Sequence, residues 1–296
     1  MSWLELSLIP LLASTVRVSI PLIFASLGGL ASERSGVINI ALEGLMLVGA
    51  FAAGVLTLKS GSPWIGALAG MAAGMLLAAF YGIFVIRLKA NQIVAGTAIN
   101  MFAAGLTPFL CKILYGSTGN TPGIPLENRF QSEPVWLAIA VVIGVSLWLQ
   151  FTPSGLWVRF AGEHPKALDA AGIRVNRVRW AGVLISGMFA GLGGATLSVF
   201  LSSSFSRNMT AGRGFMAIAA LIFGKWRPVP TAIACLLFGL ADALQIRLQG
   251  VVLWGTDPVP VQFIQILPYL VTILVLAVVV GQSRSPKALG TPFEKG

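Results

Sequence analysis

Long apolar stretches alternate with short polar segments along the whole chain. The alternation predicts about nine membrane spans, at residues 11–31, 37–57, 64–86, 93–114, 135–151, 180–201, 214–224, 229–247 and 260–281. Roughly 20 apolar residues, each rising 1.5 Å along a helix, cross about 30 Å of hydrocarbon. A membrane β-strand would instead alternate every second residue over roughly ten positions, and no such pattern runs through the chain. The expected fold is therefore an all-α polytopic membrane protein, one transmembrane domain over residues 1–296. The segment at 214–224 is too short to cross straight and reads as a half-helix. The second span opens on the polar run Ser32, Glu33, Arg34, Ser35 and Gly36, with Asn39 and Glu43 close behind, and reads as broken near its start.

The spans carry sparse polar side chains: Asn39, Glu43, Asn91, Gln92, Thr97, Asn100, Asp242, Gln245, Gln262 and Gln265. Such groups are costly in hydrocarbon unless they face protein or water. Each one alone is explained by hydrogen bonding between helices. As a group they suit a path for a neutral polar solute, because amides offer donors and acceptors without a charge to desolvate. Asn39, Glu43, Asn100, Gln262 and Gln265 are the candidate path residues. Asn39 and Glu43, four apart, would share one face of a helix. The order of spans from 11 to 114 resembles the order from 180 to 281, each with a polar break after its first span, and one span lies between the two sets. This fits an inverted repeat of the kind transporters use, and it also fits a chance match between any two apolar sets.

Composition narrows the class. Of 296 residues, 56% are hydrophobic and 10% charged, against about a quarter charged in soluble domains. The net charge of +10 does not point to nucleic acid, because the basic residues are scattered between spans and not clustered with aromatics. They follow the positive-inside rule instead. With the 152–179 loop in the cytoplasm, roughly thirteen basic residues lie inside and roughly six outside, and the opposite orientation reverses the bias. The N-terminus is then expected outside and the C-terminus inside. Residues 1–5 have no basic region before the first apolar stretch, which reads as a retained helix and not a cleaved signal.

Chemistry for an enzyme is not legible. One histidine, His164, cannot build a histidine metal site, and Cys111 and Cys235 sit in apolar surroundings with no ligand spacing. Gly224, Lys225 and Trp226 lack the upstream glycine and following Ser or Thr of a P-loop. Gly28, Gly29, Gly191, Gly193 and Gly194 lie in spans, where small residues let helices approach. No catalytic residue, cofactor or metal is expected. Two loops are long. Residues 115–134 are rich in Gly and Pro and read as irregular external structure. In 152–179, Pro165 can open a helix through Ala171 that Gly172 ends. That helix is either an interfacial linker or a docking element for a cytoplasmic partner.

Three segments in order carry a resemblance. Gly36 to Phe51 (GVINIALEGLMLVGAF) resembles the segment after the first spans in permeases of ATP-binding-cassette importers of the branched-chain amino acid, ribose and nucleoside superfamily. Leu30 to Ser35 (LASERS) before it and Thr210 to Gly224 (TAGRGFMAIAALIFG) are similar to the nucleoside, simple-sugar-like branch. Ala161 to Ile173 (AGEHPKALDAAGI) is similar to this family's coupling helix. The resemblance covers most of residues 11–281. It implies a transport subunit, not an enzyme, located in the cell's inner (plasma) membrane among its lipids. The implied partners are a second, homologous permease subunit forming a heterodimer, a cytoplasmic ABC ATPase that hydrolyses the ATP, and an extracytoplasmic substrate-binding lipoprotein. It assigns Glu163, Pro165, Ala167, Ala170 and Gly172 to the ATPase-coupling loop. The implied cargo is a nucleoside, with simple sugars or branched-chain amino acids as alternatives; a secondary transporter is the reading outside this family.

Overall fold

The computed structural model describes residues 8–248, Ile266, Leu270 and residues 284–294. Among them the chain forms ten α-helices: α1 (Leu8–Arg34), α2 (Leu42–Ser60), α3 (Pro63–Gly82), α4 (Gln92–Tyr115), α5 (Glu133–Phe151), α6 (Pro153–Glu163), α7 (Pro165–Ala170), α8 (Val175–Thr196), α9 (Arg213–Phe223) and α10 (Pro228–Leu248). Seven of these, α1 to α5, α8 and α10, are long and apolar enough to cross a membrane, and α9 is a shorter apolar helix. The expected count of about nine is thus not reached among the described residues. The span expected at 260–281, with Gln262 and Gln265, lies outside them. Proline in the first turn starts α3, α5, α6 and α7, where the missing N–H costs nothing. Left-handed glycines at Gly61 and Gly116 end α2 and α4. α3 and α8 each finish in a π-helical turn, Ile83–Arg87 and Leu197–Leu201.

α2 and α8 are the most buried spans, and α4 and α5 the least. Lipid is as apolar as leucine, so helices in a bilayer associate by close packing and not by escape from water. Glycine spacing provides that packing here. Gly70 and Gly74 on α3 face Gly187 and Gly191 on α8, and Gly49 on α2 meets the same turn. A Cβ built on Gly49 would stand 2.5 Å from the Gly191 Cα, and one on Gly70 would stand 2.9 Å from the Gly49 carbonyl oxygen. Three backbones therefore touch with no side chain between them. Several hydroxyls inside spans are satisfied locally: Ser19 donates to the Thr15 carbonyl at 2.6 Å and Thr107 to that of Ala103 at 3.0 Å.

The bundle has two distinct ends. At one, the loop after α4 lies along the segment between α8 and α9. There Thr121 N donates to Phe205 O at 3.0 Å, Ile124 N to Ser203 O at 2.6 Å and Arg207 N to Gly119 O at 2.7 Å. At the other gather the α1–α2 connection, the α3–α4 loop, α6, α7, the start of α8, the α9–α10 turn and residues 284–294. Among the described residues, the candidate site residues lie between this second end and the middle of the bundle.

Candidate functional site

The site begins where α1 stops. The second span was expected from residue 37, but helix resumes only at Leu42, and residues 35–41 form a buried elbow. Val37, Ile38 and Ile40 have the hydropathy of a helix. Their backbone is held out of it by polar side chains. Ser32 Oγ donates to the Val37 carbonyl at 2.8 Å, and Gly36 takes φ +95°, a conformation open mainly to glycine. Tyr81 on α3 donates to the Ile38 carbonyl at 2.5 Å, with the Gln92 carbonyl 3.2 Å away. Gln92 on α4 accepts from Ile38 N at 2.7 Å. Asn100 on α4 donates to the Ile40 carbonyl at 2.9 Å and accepts from Gly44 N at 2.8 Å. Each unpaired backbone group in hydrocarbon would cost several kcal/mol, so these side chains make the elbow possible.

Asn39 and Glu43 do not share a helical face. Asn39 sits in the elbow, fully buried, and its amide donates to Ser186 Oγ on α8 at 2.7 Å. Its Oδ1 has no partner among the described residues. Glu43, in the first turn of α2, points to α9 instead. Its two carboxylate oxygens accept from Gly212 N at 2.8 Å and Gly214 N at 2.7 Å. These are N-terminal amides of α9, which no residue within that helix can satisfy. The negative charge also meets the positive end of the helix dipole. Gly214 is required by contact: a Cβ there would lie 2.5 Å from the Glu43 Cα. Beside it, Arg213 Nη2 lies 4.0 Å from Asp242 Oδ2 on α10.

The far end of α9 returns to the elbow. Trp226 Nε1 donates to Glu33 Oε2 at 2.6 Å, and Arg34 Nε donates to the Trp226 carbonyl at 2.8 Å. The 11-residue α9 therefore runs from Glu43 to the last turn of α1 without crossing the bundle's full height. Its first amides are held by a carboxylate from another helix. Half-helices of this kind surround the solute sites of many transporters.

The 152–179 loop contains two helices where one was expected. Glu163 ends α6, where its carboxylate lies 3.7 Å from Arg34, and His164 breaks the chain before Pro165 opens α7. α7 buries Leu168 and exposes Lys166, Ala167 and Ala170. Gly172 follows at φ +82°, its amide donating to Asp169 O at 2.9 Å.

Some site residues gave no signal in the sequence. Tyr81 and Ser186 look like ordinary span residues, and Arg179 looks like one more basic loop residue. Arg179 is 2% exposed, and its Nη1 donates to the Thr291 carbonyl at 2.7 Å. Asn91 and Thr97, counted as span polars, have local tasks. Asn91 caps α4, accepting from Ile93 N at 2.9 Å, and Thr97 donates to the Ile93 carbonyl at 2.9 Å.

Comparison with known proteins matches residues 11–276 to the family model of the branched-chain amino acid transport system / permease component. The guanosine ABC transporter permease protein NupQ of Bacillus subtilis (strain 168) is 40% identical, over 96% of each chain. The nucleoside ABC transporter permease protein NupC of Lactococcus lactis subsp. cremoris (strain MG1363) is 38% identical, again over 96% of each. A putative glucose ABC transporter permease protein, TsgC13 of Haloferax volcanii, is 36% identical over 93% of each. The matched region takes in the elbow, α9 with its carboxylate cap and the α6–α7 pair, and the chain belongs to the permease component family of the branched-chain amino acid transport system.

Proposed function

We propose that this chain is a multi-pass permease subunit of an ATP-driven importer for nucleosides, forming half of the translocation path. The observation that carries the reading is α9, an 11-residue apolar helix whose first amides are capped by Glu43 of another helix, in a chain with 40% identity to a guanosine permease protein. Asn39, Glu43 and Asn100 then brace the wall of the path, and Gln262 and Gln265 are further candidates along it. A second, homologous permease completes the path, and a lipoprotein delivers the cargo from outside. ATP is hydrolysed on a separate cytoplasmic chain that docks on Glu163, Pro165, Ala167, Ala170 and Gly172. The exposure of Ala167 and Ala170 on α7 supports that role. The basic residues near the elbow, α6, α7 and the start of α8 support a cytoplasmic position for that end, with the N-terminus outside. The breaks after α1 and after α8 support reading the two halves as an inverted repeat.

Uptake of labelled guanosine, glucose and leucine by cells lacking the native system, with and without a catalytically dead ATPase, tests the reading. ATP-dependent guanosine uptake is expected. Glucose uptake alone would move the chain to the sugar reading that the 36% identity to a glucose permease protein favours. Uptake that ignores the ATPase would make it a secondary transporter.

A further inference from the structure

Residues 284–294 have no apolar period, and the function proposed above assigns them nothing. They are nevertheless held to four separate parts of the molecule. Ala288 N donates to the Gly162 carbonyl at 2.8 Å, which is one of the carbonyls that α6 leaves open at its end. Gly290 N donates to the Gly36 carbonyl in the elbow at 3.1 Å. The Thr291 carbonyl accepts from Arg179 on α8 at 2.7 Å. Glu294 Oε1 accepts from Lys89 in the α3–α4 loop at 2.7 Å. The segment folds on itself to do this, with Leu289 N donating to Pro286 O at 3.1 Å and Gly290 at φ +79°. Leu289 and Phe293 pack against the main apolar core.

Everything converges on Gly36. A Cβ there would lie 2.9 Å from Arg179 Nη2 and 3.3 Å from the carbonyl oxygens of Ala161 and Ala288. The end of α6, the elbow, α8 and the C-terminal segment thus meet at one point, around a glycine whose φ of +95° favours it there. Arg179 is buried there, with no carboxylate partner among the described residues and with its Nε and Nη2 unpaired. A buried guanidinium is costly unless its surroundings are electronegative. The one acceptor shown for it among the described residues is the Thr291 carbonyl of the C-terminal segment.

We propose that residues 284–294 form a coupling strap, pinned by Arg179, that makes the end of α6 and the α1–α2 elbow one mechanical unit. The inference rests on the importer reading. An ATPase that displaces α6 and α7 would then move the elbow with them, and with it Glu43 and the start of α9. Without the strap, α6 would keep its direct main-chain packing at Gly162 against Arg34 and Gly36, but the side-chain link left among the described residues would be the partly exposed 3.7 Å approach of Arg34 to Glu163. Arg179 acts through the strap and is a positioning residue.

The test uses the complete importer complex in liposomes, with labelled guanosine as cargo and ATP hydrolysis measured in parallel. A chain ending after Ser283 should still co-purify with its ATPase and keep basal hydrolysis within about twofold, while guanosine moved per ATP falls at least about tenfold. An unchanged ratio would make the strap idle, and loss of the ATPase would make it a docking surface; either overturns the proposal. If the shortened chain fails to fold, Arg179→Lys in the full-length chain replaces it. Lysine keeps the charge but loses the planar fork, and the ratio should fall about fivefold at unchanged basal hydrolysis. An unchanged ratio there also overturns it. Wild-type complex without ATP-driven uptake would remove the importer reading, whereas wild-type coupling in the variants would remove the strap alone.

Discussion

The two interruptions of the bundle, the elbow at 35–41 and the segment at 202–212, are stabilised in opposite ways. In the elbow the load is spread. Ser32, Tyr81, Gln92 and Asn100, from three helices, each take one or two backbone groups. The second interruption has main-chain bonds to residues 119–124 at its near side, but its exit into α9 depends on one carboxylate, Glu43. Both breaks leave helical backbone open inside a membrane protein, where it must be paired. The spread arrangement should tolerate loss of one member, and the concentrated one should not.

The largest effect is expected at Gly214. Gly214→Val places atoms on the Glu43 backbone and should lower stability by about 3 kcal/mol or more, read as loss of folded, monodisperse protein in detergent. Glu43→Ala comes next. It strands the amides of Gly212 and Gly214, and about 2–4 kcal/mol should be lost, with faster hydrogen exchange confined to the start of α9. Glu43→Gln separates charge from shape: it keeps one acceptor, and a loss near 1 kcal/mol with assembly intact is expected. In the elbow, Tyr81→Phe removes a single donor from the Ile38 carbonyl, and thermal unfolding should report only about 1 kcal/mol. If Tyr81→Phe proved as damaging as Glu43→Ala, the contrast between spread and concentrated support would be lost. The smallest effect is expected for Lys89→Ala. Its exposed partner Glu294 is held below the usual carboxylate range by that hydrogen bond and charge, yet solvent screening should leave the unfolding midpoint unmoved.

How far these features could be read from the sequence depended on whether their cause was local. Pro63, Pro134, Pro153 and Pro165 start helices for reasons contained in their own turns, and Gly61, Gly116 and Gly172 take left-handed conformations after helix ends for the same kind of reason. The short α9 was visible in its length and the elbow in its polar run. The elbow's extent was not. Val37, Ile38 and Ile40 read as membrane helix; Ser32, which holds Val37, is five positions before it, but the groups that pull Ile38 and Ile40 out of the helix lie 43 to 60 positions away. Asn39 and Glu43 looked like a pair for the same reason: their partners, Ser186 and the α9 amides, lie 147 to 171 positions further on. Residues 284–294 have neither period nor motif, because they are held mainly through backbone groups and two apolar side chains.

The glycine seam among α2, α3 and α8 has a consequence for how the molecule can move. Sliding of one helix along another normally relies on side chains that change rotamer and refill the gap. Where Gly49, Gly70, Gly74, Gly187 and Gly191 bring main chains into contact, there are no rotamers to change, and a shift of one residue would drive a neighbouring Cβ into a carbonyl. These three helices are threaded together like a bolt in its nut, and they can turn or tilt only as one piece. Spin labels placed on α2, α3 and α8 should therefore keep their mutual distances through a transport cycle, while distances from that trio to the peripheral α4 and α5 change.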